Sequence, residues 1–258
     1  MGVLNITPDS FSDGGEFFSA DRALIRAQQM VAAGAAVIDV GGESTRPGAH
    51  PVPLAEELRR VIPVIEALAG AVPVPVSIDT CKPQVMQAAV AAGAGMINDV
   101  NALRADGALE MAAALEVPVC LMHMQGVPES MQDDPGYTDV VAEVTGFLTA
   151  RAQACITAGI PRQRILLDPG FGFGKTVAHN LQLLRQLGRL VATGYPVLVG
   201  LSRKSLIGKV LGLPVDKRLI PGIALAVLAV WQGALLVRCH DVQETREAVR
   251  MCQAVMSA

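Results

Sequence analysis

Val37-Ile38-Asp39-Val40-Gly41-Gly42-Glu43-Ser44-Thr45-Arg46-Pro47-Gly48 begins as a short β-branched run and ends as a polar, turn-rich loop. Seven other hydrophobic runs end the same way. Their ends read Asn5, Asp79, Asn98-Asp99, His123, Asp168, Ser202-Arg203-Lys204 and Arg238-Cys239-His240. A helix-like stretch follows each. In a closed barrel of eight parallel strands every C-terminal strand end opens onto one face, and that face carries the chemistry. The pattern therefore predicts an α/β chain forming a single (β/α)8 TIM barrel over residues 1–258, with its active site at the C-terminal strand ends. An open doubly wound sheet is the alternative, but it does not normally place functional groups at all eight ends.

The strands are expected at 3–7, 37–42, 75–80, 96–100, 117–124, 165–169, 196–202 and 235–240. Helical patterns fall at 21–33, 54–68, 83–92, 108–115, 140–157, 180–192, 219–231 and 242–256. In the second of these, Leu58, Ile62, Ile65 and Leu68 mark the expected buried face. Gly34, Gly93, Gly159, Gly194 and Gly233 stand where helices should stop.

Composition agrees. The chain has 258 residues, with 51% hydrophobic and 3% aromatic residues. An aliphatic core suits parallel strands buried on both faces. A net charge of -3 without a Lys/Arg run argues against a nucleic-acid surface and for a small-molecule substrate. The five cysteines form no CxxC pair and no metal spacing, which fits a reducing cytoplasm. Residues 220–236 are apolar but broken by Pro221, Gly222, Gln232 and Gly233, so they read as a buried helix running into a strand, not a membrane span.

Asp168-Pro169-Gly170-Phe171-Gly172-Phe173-Gly174-Lys175-Thr176 imitates a phosphate loop and fails its spacing test, because proline stands where the first glycine is needed. It reads instead as a mobile loop whose Phe171 and Phe173 present ring faces. The first two strand-to-helix segments are long and rich in turn formers, as functional loops are. His50 and His179 read as an exposed loop residue and a helix-start residue; His123 reads equally well as filler of a polar barrel layer or as a site residue. Alternation places Arg238 and His240 on one face of the last strand, a pairing suited to an anion, and Ser77 with Asp79 on another.

These residues match a known family. Asn5-Ile-Thr7-Pro-Asp9-Ser-Phe11-Ser-Asp13, Asp39-Val-Gly-Gly-Glu43-Ser-Thr45-Arg46-Pro47-Gly48 and Ser77-Ile-Asp79-Thr80 resemble dihydropteroate synthases. So do Asn98-Asp99, Met122-His123-Met124, Asp168 to Lys175, Ser202-Arg203-Lys204-Ser205 and Arg238-Cys239-His240-Asp241. The resemblance covers essentially the whole chain. It implies condensation of 6-hydroxymethyl-7,8-dihydropterin diphosphate with p-aminobenzoate, giving 7,8-dihydropteroate and pyrophosphate with Mg²⁺.

It also implies roles. Asp79, Asn98 and Asp168 hold the pterin, with Lys204 near its oxygen and Met122 and Phe173 as flanking contacts. Asn5, Arg238 and His240 form the diphosphate site; Asn5 is also a Mg²⁺ ligand, and Thr45 contacts the pterin diphosphate. Phe11, Arg46, Pro47, Lys204 and Ser205 build the aminobenzoate pocket, where sulfonamides compete. Asp9 supports the closed loop or the metal; Asp79, Lys204, Asp9 and Arg46 are the catalytic candidates. The enzyme is expected to be a cytoplasmic homodimer that uses neither nucleic acid nor membrane.

Three departures from the family pattern stand out. The family's usual N-terminal segment, which caps the barrel floor, is not seen. Arg218-Leu-Ile-Pro221-Gly222 replaces a glycine followed by Ser or Thr, which bears on the helix start and the dimer contact. Cys239 stands where Val or Thr is usual; alternation turns it away from Arg238 and His240, toward packing. Two other functions use the same residues. One is a lyase forming a Schiff base on Lys204, separable by borohydride trapping. The other is a non-catalytic or methyl-transferring pterin-binding homologue, against which the intact 7–11 and 202–205 segments argue.

Overall fold

The structure, a computed structural model, describes residues 1–6, 16–45 and 48–258. Asp9, Phe11, Arg46 and Pro47 lie outside the described residues. Eight strands follow in order: β1 (Gly2–Asn5), β2 (Ile38–Gly41), β3 (Val76–Asp79), β4 (Met96–Asp99), β5 (Val119–Met122), β6 (Ile165–Asp168), β7 (Leu198–Gly200) and β8 (Leu236–Arg238). The first six form one parallel sheet in sequence order, and β7 pairs parallel with β8. Two seams close the ring. Leu167 pairs with Val197 between β6 and β7, and Gly2 with Cys239 between β8 and β1. Backbone bonds hold both: Leu167 N–H to Pro196 O (2.9 Å), Val3 N–H to Cys239 O (3.0 Å) and Cys239 N–H to Met1 O (2.9 Å). The barrel expected from the eight strand ends is formed.

Ten helices of the described residues alternate with the strands: α1 (Glu16–Ala32), α2 (Leu54–Ala69), α3 (Pro83–Ala91), α4 (Ala108–Leu115), α5 (Val140–Thr157), α6 (Val177–Arg185), α7 (Leu187–Val191), α8 (Ser205–Leu211), α9 (Leu219–Trp231) and α10 (Val242–Met256). The five expected stop glycines all take positive φ, as helix-terminating glycines do. Three expectations change. The helix expected at 180–192 is two helices, broken at Gln186, and it begins earlier, at Val177. The helix Ser205–Leu211 was not expected. On α2, Val61, Val64, Ile65 and Leu68 are buried, whereas Leu58 and Ile62 only flank that face. Pro221 sits in the first turn of α9, where a missing N–H costs no helical bond, so the helix starts at Leu219 as the periodicity predicts.

The barrel interior is filled by alternation along each strand. A lower layer of Met1, Met96, Cys120 and Leu198, with Val37, Leu166 and Leu236 packed against it, closes the floor. Two residues further along five of these strands stand Asp39, Asn98, Met122, Asp168 and Arg238. Side chains two apart share a face, so an apolar plug carries a polar layer directly above it. The larger core lies between the strands and the helices and includes Cys239, which packs there as alternation predicts. Among the described residues no helix is long and apolar enough to cross a membrane.

Candidate active site

Arg238 organises the polar layer. Its Nε donates to Asp39 Oδ2 at 2.6 Å and its Nη2 to Asp79 Oδ2 at 2.8 Å. The same Asp39 oxygen accepts from Asn98 Nδ2 at 3.1 Å. One guanidinium thereby ties β8, β2 and β3 together, with β4 joined through Asn98. Asp39 was read only as a strand end; its bridging role was missed, although alternation already places it on the face of Gly41. Asp39 Oδ1 and Ser77 Oγ, both buried, have no hydrogen-bond partner among the described residues.

Asp168 closes the layer from β6, accepting from Gly170 N–H at 2.7 Å. Asp39, Asp79 and Asp168 thus share the barrel with Arg238 and Lys204, and Lys175 also acts on Asp168. Burial pushes the Asp79 carboxyl up to about 7; Asp39, Asp99 and Glu57 add to the rise, and Arg238 only partly opposes it. Burial likewise raises Asp168, against the Gly170 amide and Lys204. Burial brings the Lys204 amine down to about 8, with Asp168 opposing that shift. Arg238 is itself penalised by burial, yet Asp39 and Asp79 hold it firmly charged. The surplus negative charge falls on Asp79, because Arg238 satisfies Asp39 at the same time.

Lys204 reaches the barrel through a strained turn. Arg203 has φ +58, a left-handed conformation that a non-glycine residue holds only when its surroundings enforce it. They do so here through a bidentate bond of Arg203 to Asp241, at 3.2 and 2.5 Å, and through Arg218 Nη1 on the Arg203 carbonyl at 3.3 Å. Lys204 Nζ stands 4.2 Å above the centre of the Phe173 ring. Met122 and Phe173 belong to one small apolar cluster with Val100, Met124 and Met131, so the expected flanking contacts do occur together. Ser205 is exposed at the first residue of α8, and Thr45 is half-buried on the β2 loop.

The loop after β6 is pinned, which corrects the mobile reading. Phe171 is 1% exposed and belongs to the main core; it presents no ring face. Lys175 is buried and donates to the carbonyls of Gly170 (3.0 Å), Phe173 (2.9 Å) and His123 (3.3 Å), with His123 Nδ1 at 2.9 Å. Burial and the Lys175 charge bring His123 down to about 3, so its neutral ring accepts from the ammonium. Lys175 falls to about 7, mainly through burial. His123 is therefore the polar packing residue of its two readings. Gln132 Nε2 and Tyr137 Oη hold the Gly172 and Gly174 carbonyls at 2.5 and 2.7 Å. Gly170, at φ +65, lies where a Cβ would stand 2.0 Å from the His123 carbonyl oxygen, so only glycine fits.

Arg238 and His240 take different partners. His240 Nδ1 lies 3.0 Å from Ser202 Oγ, and its backbone N–H donates to the same oxygen at 3.3 Å. Asn5 and Asp79 flank Gly41 from neighbouring strands: Asn5 Oδ1 and Asp79 Oδ2 each lie 3.7 Å from the point a Gly41 Cβ would occupy. No group of three His, Cys, Asp or Glu among the described residues could hold a metal by itself.

Comparison with known proteins places this geometry. Residues 1–240 match the family described as pterin binding enzyme. The dihydropteroate synthase of Escherichia coli (strain K12) is 52% identical over 258 residues, spanning 100% of this chain and 92% of that relative. The chain belongs to the dihydropteroate synthases of the pterin-binding enzyme family. Two solved structures of this family superimpose over 100% of the chain. The Yersinia pestis dihydropteroate synthase in a sulfonamide drug complex has a TM-score of 0.95 at 52% identity, with 94% of it covered. The Xanthomonas albilineans dihydropteroate synthase with 4-aminobenzoic acid has a TM-score of 0.94 at 54% identity, with 93% covered. Dihydropteroate synthases are transferases. The chain is therefore a transferase, which displaces the Schiff-base alternative.

Proposed function

We propose that this chain joins 6-hydroxymethyl-7,8-dihydropterin diphosphate to p-aminobenzoate, releasing pyrophosphate and 7,8-dihydropteroate. The observation that carries this reading is the polar layer: Asp79, Asn98 and Asp168 with a paired Arg238, and Met122 of the same layer in one apolar cluster with Phe173. A reduced pterin is flat and rich in N–H donors. Buried carboxylates and an amide oxygen match that edge, and an apolar pair matches its faces. The bond between the exocyclic carbon and the diphosphate oxygen breaks, the aniline nitrogen supplies the new pair to that carbon, and the nitrogen then loses its proton. Asp79 and Asp168 favour the developing positive charge of the pterin. Lys204, over the Phe173 ring, stands at the pterin oxygen. Arg238 and His240 take the leaving diphosphate, with Thr45 beside it.

Magnesium fits as a companion of the diphosphate. Asn5 offers one oxygen beside Asp79, and Mg²⁺ typically combines one or two protein oxygens with substrate phosphates and water. Asn5 would hold it, and the ion would neutralise charge on the leaving group. For the aminobenzoate side, the motif residues Phe11, Arg46 and Pro47 with Ser205 support the assignment, and Asp9 supports the loop. Sulfonamides compete at that pocket.

The reading extends to assembly and location. Ile220, Ala224, Leu228 and Trp231 form an exposed apolar stripe on α9 beside exposed Met251 and Val255 of α10. Such a face suits a second copy, giving a homodimer. All five cysteines are unpaired, which supports the cytoplasm. A coupled pyrophosphate-release assay with both substrates, with and without Mg²⁺, tests the function. Release that needs both substrates supports it; a protein that binds pterin and releases none is a binding homologue.

A further inference from the structure

The strongest feature the reaction does not yet use is an ionic knot behind the β2 loop. Lys82 follows β3 by three residues and sits between two carboxylates. Its Nζ donates to Glu57 Oε2 at 2.5 Å and to Glu43 Oε2 in a still shorter contact. Glu57, on α2, has a side chain only 1% exposed, and its other oxygen accepts from Thr80 Oγ1 at 2.6 Å. Thr80 directly follows Asp79, and its backbone N–H is held by the Asn98 carbonyl at 3.1 Å. Glu43 also accepts from Val52 N–H at 3.1 Å, so one carboxylate ties both ends of the 43–52 loop.

The root of that loop has little freedom. A Cβ on Gly42 would stand 2.6 Å from Val61 Cγ1 and 3.1 Å from Glu57 Cγ, so the backbone lies directly on α2. Arg60 Nη1 holds the Gly42 carbonyl at 2.9 Å. Farther along, Gly48 N–H reaches the Pro128 carbonyl at 3.1 Å. The Glu43–Lys82 contact is a side-chain tie that connects this loop to the β3 end, two residues before Thr45.

We propose that Lys82, seated by Glu57 and Thr80, is a positioning residue: by gripping Glu43 it sets where Thr45 stands, and so how well the site holds the substrate's diphosphate. The inference rests on the pterin-diphosphate reading given above. Glu57 is already committed to Thr80, so it cannot move to follow Glu43. Without the ammonium ion, two carboxylates face each other at short range, and Glu43 is the one exposed enough to leave. The loop then keeps its backbone path over α2 but loses its registration against β3. Asp79, Asn98 and Asp168, held by Arg238 and Gly170, keep theirs. The pterin ring and the diphosphate should therefore respond differently.

Calorimetry separates the two. 6-Hydroxymethylpterin reports the ring alone, and 6-hydroxymethyl-7,8-dihydropterin diphosphate with Mg²⁺ reports ring and diphosphate together. Lys82→Met should leave ring affinity unchanged and weaken diphosphate binding about tenfold, since misplacing a contact by roughly 1 Å can cost up to about a hundredfold. Lys82→Arg, which can still bridge two carboxylates, should restore most of the loss. Glu43→Ala, at a partly exposed position, cuts the same tie from the loop side without burying a charge. It should give the same split if Lys82→Met folds poorly. Equal losses for both ligands would make the knot merely structural and overturn the proposal, as would no loss for either. Wild-type protein that gained nothing from the diphosphate would overturn the pterin-diphosphate reading itself. Normal wild-type preference with unaltered variants would overturn only the role of Lys82.

Discussion

Replacing Asp79 by asparagine should stabilise the fold increasingly as pH rises, while removing pterin binding. The Asp79 carboxyl titrates at about 7 in the folded protein against an ordinary 3.8, and its side chain is 10% exposed. For a group raised on folding, full stability is present below the ordinary value and is lost as pH climbs to the folded value. At about 1.4 kcal/mol per pH unit, the raised carboxyl costs the fold roughly 2 kcal/mol at about pH 5 and roughly 4 kcal/mol at about pH 8.5. Asparagine has nearly the same shape and cannot ionise. Arg238 Nη2 loses a charged acceptor in the variant, which lowers the absolute gain, but its Nε keeps Asp39. The slope survives that offset. The stability difference between variant and wild type should therefore widen by roughly 2–3 kcal/mol from about pH 5 to about pH 8.5. Urea unfolding of both proteins across this range measures it, because titrations common to the two cancel. A difference that does not change with pH would refute the surplus negative charge assigned to Asp79.

Three further outcomes follow from other parts of the site. Phe171→Ala should cost about 3–5 kcal/mol of stability, whereas Phe173→Ala should cost much less and instead weaken pterin affinity; thermal melts with pterin titrations compare them, and reversed effects would exchange their roles. Lys175 is lowered to about 7, so the wild type should gain stability between the folded value and the ordinary 10.5 as pH rises, and Lys175→Met should lose that slope; parallel unfolding curves against pH would contradict its burial as an ion. Arg238→Ala should weaken pyrophosphate binding at every pH, whereas His240→Gln should flatten only the acid side of the affinity profile, near the ordinary histidine value of about 6.5. An unchanged profile would make His240 a structural partner of Ser202.

The barrel was legible because its signal is repeated. Each strand alternates inward and outward positions, and five of the helices run into an expected glycine at positive φ. The misses come from tertiary contacts that no local pattern carries. Gln186 breaks the 180–192 helix where Gln232, from the end of α9, reaches across to the Arg185 carbonyl at 3.4 Å and lies against Gly188. The seven residues of α8 directly follow Lys204, too short a run for its periodicity to show, and its buried Leu206 and Ile207 anchor it.

The site was legible in its residues more than in its couplings. Asp79, Asn98 and Asp168 stood out as strand ends, and the family resemblance gave them their expected ligand roles. That Asp39 shares Arg238 with Asp79 could not be read, since the two carboxylates stand 40 positions apart and the arginine 199 from Asp39. Yet this sharing bears on the proposed chemistry. Burial, helped by the Asp39 charge beside the same guanidinium, keeps the Asp79 pKa high until something else supplies positive charge. In the proposed reaction, a pterin approaching cation character supplies it most strongly at the moment the diphosphate bond lengthens. A carboxylate left under-compensated at rest is then best compensated at the transition state, and differential stabilisation of that kind is what accelerates a reaction.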